Sequence, residues 1–304
     1  MKDQSLWGID LGGTKIEGVV LKSAEDPKIL FRERIATEQQ EGYSHIINRI
    51  KTMVDMMSQS TGLPPRKLGI GTPGAVDPIR GTHKNSNTTC LNGQQFYTDL
   101  QKAINIPVVM ANDANCFALA EAKLGVVKSE MPNADVVFGV IMGTGVGGGL
   151  VINGKVISGR QGISGEWGHN FLDESGKVSY TGRKGVVETI ISGPALQSYY
   201  HTLTNEEQSL KEIYKRFKAG NDEAAQKTIN RLTHFFGLAI SVVINIVDPD
   251  AIILGGGVGN IDELYSDGVA SAEKYVFNNQ LDTRFLRPQL GDSAGVFGAA
   301  MLTG

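Results

Sequence analysis

Clusters of glycine between short apolar runs constrain this chain more than any other feature of its sequence. The chain has 38 glycines. Many of them fall into four groups instead of a linker: "DLGGTK", "GIGTPGAVD", "GTGVGGG" and "LGGGVG". Glycine between apolar segments marks a tight turn or a place where the backbone comes close to a ligand. The chain is therefore expected to carry ligand-facing turns next to its strands.

The segments around these glycines alternate between strand and helix patterns. Strands are predicted in "LWGID", "IEGVVL", "RKLGIG", "IPVVMAND" and "AIILGGGVG". Helices are predicted in "EGYSHIINRIKTMVDMMSQSTG", "ANCFALAEAKLG", "INRLTHFFGLAISVVINIV" and "SAGVFGAAMLTG". This alternation predicts a layered α/β architecture. Because 304 residues approach the upper limit for one hydrophobic core, two lobes are expected.

Two of the glycine turns share a local pattern. "WGIDLGGTKIEGVVL" and "FGVIMGTGVGGGLVI" each read as strand, glycine-rich turn with a central threonine, and strand. The second turn also matches G-x-G-x-x-G, but that dinucleotide fingerprint requires a following helix, and "LVINGKVI" predicts a hairpin instead. The turns are either plain hairpin turns or loops whose N–H groups bind phosphate. The presence of two such turns, with Asp10 in the first, favours the interpretation as phosphate-binding loops.

The composition excludes several classes of function. Hydrophobic residues make up 41% of the chain and charged residues 20%, as is usual for a globular protein. A formal net charge of -3, without a Lys/Arg stripe, argues against a nucleic-acid partner. The apolar core of a signal peptide is missing from the N-terminal segment "MKDQSLWGIDLGG". No apolar run approaches the roughly 20 residues of a membrane span. Two cysteines are too few for a disulfide framework. A reduced, cytoplasmic protein without a membrane partner is expected.

Five motifs, in their order along the chain, resemble the ROK family of bacterial sugar kinases and sugar-responsive repressors. They are "GIDLGGTK", "MANDANCFALAEAKLG", "GTGVGGG", "GEWGH" and "LGGGV". The resemblance implies a two-lobed α/β fold of the ribonuclease-H-like (actin-like ATPase) class, with ATP and sugar in an interlobe cleft. It places residues 1–112 and the C-terminal helix 293–304 in a smaller lobe, and residues 113–292 in a larger one.

The same resemblance implies ATP and Mg²⁺ as cofactors and assigns the glycine turns to the nucleotide. Asp10 is expected to help hold Mg²⁺, through water. The other residues expected at the nucleotide are Gly12, Gly13, Thr14, Lys15, Gly143, Thr144, Gly145, Gly255, Gly256 and Gly257. Phosphoryl transfer has a loose transition state, so such a site acts mostly by positioning and charge neutralisation.

Asp113 matches the general base of the family. The acceptor hydroxyl has to lose a proton, and general base catalysis contributes roughly 10²–10⁴ in rate. Because "NDAN" lies at a strand-to-helix junction, the alternative is that Asp113 caps the helix that it precedes. The presence of the other motifs favours the base.

Further polar residues match positions that contact sugar hydroxyls in family members. They are Asn112, Glu166, His169 and Glu188, and Asn87 in "NSNTTCLNG" is placed near another sugar-binding asparagine. Carboxylates accept hydrogen bonds from hydroxyls, and an amide both donates and accepts, which suits a ring with vicinal hydroxyls. The alternatives are exposed surface charges for the glutamates and a packed side chain for the histidine.

The stretch after His169 departs from the family pattern. Many ROK proteins bind structural zinc with this histidine and a C-x-C-G-x-x-G-C stretch. Alignment on "GRKG" puts Ser179, Thr181 and Val186 where the three cysteines would stand. Hydroxyls are poor zinc ligands and valine is none, so no structural zinc is expected. Packing and hydrogen bonds are expected to hold "SYTGRKGV" instead.

The resemblance predicts an ATP-dependent hexose kinase acting on the terminal hydroxyl of the sugar. Glucose is the first substrate expected, and fructose, mannose or an N-acetylated hexosamine are alternatives. A sugar-sensing regulator is an alternative of another class, although the few residues before Asp10 leave no room for the DNA-binding domain of family repressors. A polymerising actin-like ATPase would leave "NDANCFALAE" and "GEWGH" without a role. A homodimer is expected, as in many family members.

Overall fold

Strands and helices alternate along the chain, as the sequence pattern predicts. The computed structural model describes residues 4–304. Its strands are β1 (Leu6–Leu11), β2 (Lys15–Leu21), β3 (Ile29–Ala36), β4 (Leu68–Thr72), β5 (Ala75–Val76), β6 (His83–Lys84), β7 (Val108–Asn112), β8 (Val136–Met142), β9 (Val146–Ile152), β10 (Lys155–Val156), β11 (Ala251–Gly255) and β12 (Arg284–Leu286). Its helices are α1 (Tyr43–Thr61), α2 (Phe96–Ile104), α3 (Asp113–Lys123), α4 (Val126–Glu130), α5 (Glu188–Ile191), α6 (Gly193–Thr204), α7 (Leu210–Ala219), α8 (Glu223–Val247), α9 (Gly256–Gly259), α10 (Asp267–Glu273) and α11 (Ala294–Met301).

Two five-stranded sheets with the same kind of topology carry the architecture. The first has the order β3-β2-β1-β4-β7, in which β2 is antiparallel to β1 and β3, and β4 is parallel to β1 and β7. The second has the order β10-β9-β8-β11-β12, in which β10 is antiparallel to β9, and β11 is parallel to β8 and β12. Each sheet therefore contains one of the two glycine-turn hairpins that the sequence predicts, followed by parallel strands.

The described chain forms two compact units. The first runs up to Asn133 and includes Gly149–Ser164 and Gln289–Gly304, and the second consists of Ala134–Gly148 and Gly165–Pro288. Strand β9 passes from the second unit to the first at Gly148 and Gly149. The lobe boundary expected between residues 112 and 113 stays a prediction about domain organisation.

Helix α1 covers one face of the first sheet with the residues that its sequence period predicts. The buried residues are Ile46, Ile47, Ile50, Met53, Val54 and Met57. They pack against β2 and β3 and join a core with the buried residues of β1 and β4. The helix ends at Gly62, whose φ of 67° lies in the left-handed region that favours glycine.

Helix α11 lies unusually close to β1, β4 and α3 because glycines stand at the contacts. A Cβ at Gly69 would lie 1.8 Å from a carbonyl oxygen of α11, and a Cβ at Gly298 would lie 1.8 Å from a carbonyl oxygen of α3. Any side chain at either position would therefore push the helix away. The close approach also places α11 beside Asp10, because a Cβ at Gly295 would lie 2.8 Å from one of its carboxylate oxygens.

The second unit is built around the long helix α8. Of the predicted apolar face, Leu232, Phe236, Ala239, Ile240, Val243 and Ile244 are buried and Phe235 is half-buried. The helix packs against α5, α6, α7 and α10. By length and composition alone it could cross a membrane, which differs from the expectation that no segment would. Because 56% of its most apolar window is buried in the protein, it has the character of a core helix.

Candidate active site

The glycine turn between β1 and β2 carries the first set of predicted phosphate contacts. The Gly12 N–H donates to the Lys15 carbonyl oxygen over 2.9 Å. The Thr37 hydroxyl donates to the Gly12 carbonyl oxygen over 2.7 Å, and the Thr37 N–H donates to the Thr14 carbonyl oxygen over 3.0 Å. Thr37, which follows β3, therefore braces the turn. Sequence reasoning missed this residue because nothing in the local pattern distinguishes it from other threonines.

Three of the predicted nucleotide glycines have open space where a side chain would be. A Cβ at Gly143 or Gly257 would meet nothing within 4 Å, and a Cβ at Gly13 would make only ordinary contacts from 3.5 Å outward. None of the three has a positive φ. Gly256 differs, since its φ is 79° and its Cβ would lie 2.3 Å from the Met142 carbonyl oxygen. The fold requires glycine at position 256, whereas the other three leave room for a ligand against the backbone.

The turn between β8 and β9 is held by the first residues of α5 and α6. The Val146 N–H donates to Glu188 Oε2 over 3.0 Å, and the Gly193 N–H donates to the Gly143 carbonyl oxygen over 2.8 Å. A Cβ at Gly145 would lie 2.6 Å from the same Glu188 oxygen. Glycine at position 145 therefore lets the carboxylate reach the backbone. As a result, Glu188 connects the predicted phosphate turn with the predicted sugar-binding residues.

The remaining residues predicted to bind the nucleotide lie at these turns and at the end of β11. Thr14 and Lys15 are exposed at the first turn, and Thr144 is exposed at the second. Gly255 ends β11 and precedes α9. The predicted nucleotide residues thus lie at strand ends, where backbone groups leave the sheet and can face a ligand.

Asp10 and Asp113 form an acidic pair in the first unit. Burial, followed by the negative charges of Asp113 and Glu17, raises the pKa of Asp10 to about 6, and the positive charges of Lys15 and Arg34 oppose this only in part. Burial also raises the pKa of Asp113, although backbone hydrogen bonds act in the other direction. A carboxylate with a raised pKa is a stronger base. The environment of Asp113 therefore suits the role of general base.

The acidic pair also fits the Mg²⁺ that the resemblance implies. Carboxylate oxygens are the hard donors that Mg²⁺ prefers. The raised pKa of Asp10 indicates a negative charge that the neighbouring cations do not neutralise. In residues 4–304, no group of three or more His, Cys, Asp or Glu side chains could hold a metal ion. The phosphates of the nucleotide would therefore supply further ligands.

Asn112, and not Asp113, caps helix α3. Asn112 Oδ1 accepts a hydrogen bond from the Asn115 N–H over 2.8 Å. Asp113 is the first residue of the helix, and its Oδ1 accepts from the adjacent Ala114 N–H over 2.8 Å. The alternative in which Asp113 is the helix cap is therefore wrong. The cap uses the carbonyl oxygen of the Asn112 side chain, and its Nδ2 group is left to donate to a ligand.

A cavity of about 270 Å³ opens beside Asn112 within the first unit. Its polar lining includes Asn112, Asn115 and Ser158. Its apolar lining consists of Ala75, Val76, Pro78, Tyr97, Met110 and Ala111. A mostly apolar concavity with a few convergent polar groups is typical of a small-molecule site.

Asn87 lies in an exposed bend near the first glycine turn. The neighbouring Thr88 hydroxyl is buried and has no hydrogen-bond partner in the part of the chain that the structure describes. That hydroxyl lies 3.6 Å from where a Cβ of Gly13 would be. Buried hydroxyls normally have partners, so the one on Thr88 is available to a ligand at the turn. The sequence pattern did not single out Thr88, and the sugar-binding role of Asn87 stays a prediction.

Glu166 and His169 lie at the two ends of a short 3₁₀ turn, Trp167–His169. His169 Nε2 lies 3.8 Å from Glu166 Oε2. A Cβ at Gly168 would lie 2.0 Å from the Val146 carbonyl oxygen. The turn therefore packs directly on the first residue of β9, which is the same residue that hydrogen-bonds Glu188.

Tyr180 joins the predicted sugar-binding residues of the second unit. Its hydroxyl lies 3.3 Å from His169 Nε2, and the two rings meet edge to face with centroids 5.5 Å apart. Burial, then the negative charges of Glu188 and Glu166, raises the pKa of the Tyr180 hydroxyl. The two carboxylates and the imidazole are therefore grouped around one phenol. Sequence reasoning missed Tyr180, because an isolated tyrosine in a glycine-rich loop carries no signal.

The loop with Tyr180 also contains the positions of the three missing cysteines. The hydroxyls of Ser179 and Thr181 share a hydrogen bond of 2.8 Å. Val186 is buried and forms an isolated β-bridge with Phe171. Two hydroxyls and an aliphatic side chain are not suitable ligands for a zinc ion. Hydrogen bonds and packing contribute to holding this loop, and the absence of structural zinc stays a prediction.

We expect purified protein to lack stoichiometric zinc. EDTA should leave its melting temperature unchanged, because no metal bond contributes to the stability of the loop. Elemental analysis by mass spectrometry, together with thermal unfolding with and without EDTA, measures both quantities. One zinc per chain, or a melting temperature lowered by EDTA and restored by zinc, would contradict this prediction.

Comparison with known proteins agrees with the resemblance in the sequence. The ROK family profile matches residues 6–304. The N-acetyl-D-glucosamine kinases of Aliivibrio salmonicida (strain LFI1238) and Pasteurella multocida (strain Pm70) are each 33% identical to this chain. Each alignment covers 97% of this chain and 98% of the relative.

Solved structures agree as well. A ROK hexokinase from Thermus thermophilus has a TM-score of 0.86 at 28% identity, covering 98% of this chain and 97% of that chain. A ROK family glucokinase from Streptomyces griseus, in complex with glucose and AMPPNP, has a TM-score of 0.75 at 28% identity, covering 98% of both chains. The predicted actin-like ATPase class of α/β fold is confirmed. Over nearly its whole length, the chain belongs to the ROK family.

Proposed function

We propose that this protein transfers phosphate from ATP to the terminal hydroxyl of an N-acetylated hexosamine, with N-acetylglucosamine as the first substrate to test. The protein is an ATP-dependent sugar kinase, the activity that its named relatives share. The finer assignment concerns the sugar. Glucose, the first expectation from the sequence, is the alternative substrate.

The observation that carries this proposal is the apolar cavity beside Asn112. Glucose presents hydroxyls around its ring, and these gain little from an apolar wall. An acetamido group adds a methyl group, which apolar walls take out of water, and an amide, which Asn112 or Ser158 can hydrogen-bond. The names of the relatives at 33% identity support the same substrate class.

Under this proposal, each part of the phosphoryl transfer is assigned to particular residues of the chain. Asn112 Nδ2 donates to a sugar oxygen while its Oδ1 holds the start of α3. Asp113 accepts the proton of the terminal hydroxyl as that oxygen attacks the γ-phosphorus of ATP, the bond to the bridging oxygen breaks and ADP leaves. The glycine turns at Gly13 and Gly143 present backbone N–H groups to the phosphates. Mg²⁺, when bound near Asp10, would neutralise phosphate charge.

A substrate panel tests the proposed function directly. ATP consumption by purified protein is measured with N-acetylglucosamine, N-acetylmannosamine, glucose, mannose and fructose. Turnover with an N-acetylated hexosamine at the highest kcat/KM is the expected result. A highest kcat/KM for glucose would overturn the substrate assignment. Sugar binding without any turnover would indicate a sensor in place of a kinase.

Filling the cavity should discriminate between the substrates. Val76→Phe places a larger ring in the cavity, so kcat/KM for N-acetylglucosamine should fall by about tenfold or more, while that for glucose should change by less than about threefold. Steady-state kinetics with both sugars measure the difference. Val242→Phe, at an exposed position of α8, is the matched control and should change neither value. Equal losses for both sugars would contradict an acetamido group in this cavity.

Oligomeric state and location are part of the same proposal. We expect a homodimer, which is the common state of the family, and a cytoplasmic location, where ATP and reduced thiols are available. Light scattering on purified protein would measure the mass in solution.

A further inference from the structure

Tyr180 is an exposed aromatic residue that is nevertheless anchored. Its side chain is 74% exposed, yet its hydroxyl lies 3.3 Å from His169 Nε2 and its ring packs edge to face on the imidazole. An exposed tyrosine that makes no specific contact would direct its hydroxyl toward water. Here the hydroxyl points back into the group formed with Glu166 and Glu188.

The turn around Tyr180 is fixed on both sides of the residue. The Ser179 N–H donates to the Arg183 carbonyl oxygen over 2.8 Å, and the Gly182 N–H donates to the Ser179 carbonyl oxygen over 2.9 Å. The Ser179 and Thr181 hydroxyls are joined as well. Gly182 has a φ of 80°, which closes the turn in a conformation that glycine adopts without strain. The position of Tyr180 over His169 is therefore built into the loop.

In the hydrogen bond between Tyr180 and His169, the tyrosine hydroxyl is assigned as the acceptor. The hydroxyl proton of Tyr180 is therefore free to be donated elsewhere. His169 Nδ1 is buried and has no partner in residues 4–304. A buried N–H without an acceptor is rarer and costlier than a bare lone pair, and the Glu166 carboxylate at 3.8 Å favours a proton on Nε2. We therefore assign the imidazole as the donor from Nε2 to Tyr180 Oη in this 3.3 Å contact. Because partial desolvation of the hydroxyl, followed by the charges of Glu188 and Glu166, raises the pKa of Tyr180, the phenol keeps its proton and can donate it to another acceptor.

We propose that Tyr180 is a sugar-contacting residue, whose hydroxyl donates to an oxygen of the substrate held by Glu166, His169 and Glu188. Its ring also positions the His169 imidazole. This inference rests on the proposed function insofar as the sugar binds to this group. The phenol supplies the neutral donor that two carboxylates, which only accept, cannot provide.

Equilibrium binding and kinetics of Tyr180→Phe test the proposal. The variant keeps the ring and loses the hydroxyl, so the sugar Kd and the sugar KM should each rise by about five- to tenfold. The KM for ATP should stay within about twofold, since the hydroxyl and ring of Tyr180 contact His169. Sugar binding should perturb the ultraviolet absorption of a tyrosine in the wild type, and this difference spectrum should be absent in the variant.

Tyr275→Phe is the matched control, because Tyr275 is also an exposed tyrosine of the second unit but packs against His234. It should leave the sugar Kd and the difference spectrum unchanged. A Tyr180→Phe protein with the wild-type Kd and an intact difference spectrum would overturn the proposal. If the wild type shows the sugar-induced difference spectrum but no turnover, only the kinase assignment is overturned. The proposed contact between Tyr180 and the sugar would then be supported. No sugar binding by the wild type would overturn both.

Discussion

Asp113→Asn should lower kcat by roughly 10²–10⁴, with little change in the KM for sugar, because it removes the proposed general base and preserves the shape of the side chain. The structure separates this effect from a structural one. Asn112 provides the helix cap, and asparagine at position 113 keeps an amide oxygen that can accept from the Ala114 N–H as Asp113 does. Burial raises the pKa of Asp113, so replacing its charge should leave the unfolding free energy at pH 8 unchanged or higher. Steady-state kinetics and chemical denaturation on the same preparation measure both quantities.

Asn112→Ala is the control for the role of the cap. It should cost about 1 kcal/mol of stability through loss of the hydrogen bond to the Asn115 N–H. It should also raise the KM for sugar, because the Nδ2 donor is lost. Asp113→Asn with a kcat within threefold of the wild type, or with the stability loss expected of Asn112→Ala, would contradict the assignment of the base.

Asp10→Asn should stabilise the protein above pH 7 and inactivate it. The folded pKa of Asp10 is about 6, above its ordinary value of 3.8. Well below pH 3.8 the carboxyl is protonated in both states and carries no penalty. As the pH rises from 3.8 through about 6, the unfolded chain ionises first and the folded protein must then ionise Asp10 within the fold. Wild-type stability is lost over this window, by about 3 kcal/mol at most for a shift of about two pKa units. Turnover should fall by at least about 100-fold, because the carboxylate proposed to face the phosphates and Mg²⁺ is lost.

Unfolding free energies at pH 4, 6 and 8 measure this prediction. The difference between Asp10→Asn and wild type should be small at pH 4 and largest at pH 8. Asp55→Asn, at an exposed position of α1, is the matched control and should show no such pH dependence. A difference that is constant with pH would show that the wild type bears no cost for ionising Asp10 at neutral pH.

The sequence pattern predicts the elements that depend on local periodicity. The buried residues of α1 are those at helical spacing in the sequence, because one helix face is enough to specify them. The turn at Asn153 and Gly154 between β9 and β10 has φ angles of 51° and 69°, so the hairpin interpretation of that segment is confirmed. Helix α8 begins at Glu223, ahead of the predicted apolar segment. Its first turn, capped by Asp222, contains no large apolar residue, so apolar periodicity does not detect it.

The sequence named candidate residues for the site but did not settle how the polar groups at the start of α3 are used. The resemblance to the ROK family implies Asp10, Asp113, Glu166, His169 and Glu188 as candidates. Their roles at the nucleotide and the sugar stay predictions. The sequence could not decide between Asn112 and Asp113 as helix cap, because neighbouring polar residues at a junction satisfy the same pattern.

The amino-acid sequence by itself determined the family, the α/β alternation and the loss of the zinc ligands, since each depends on residue identity and short-range spacing. Only the tertiary structure decided that Thr37 braces the first glycine turn, that Gly145 makes room for Glu188, and that Tyr180 lies on His169. Most of these contacts join residues from different elements, and a hydrogen bond between such residues depends on how the chain packs. Local propensity contains no information about that packing.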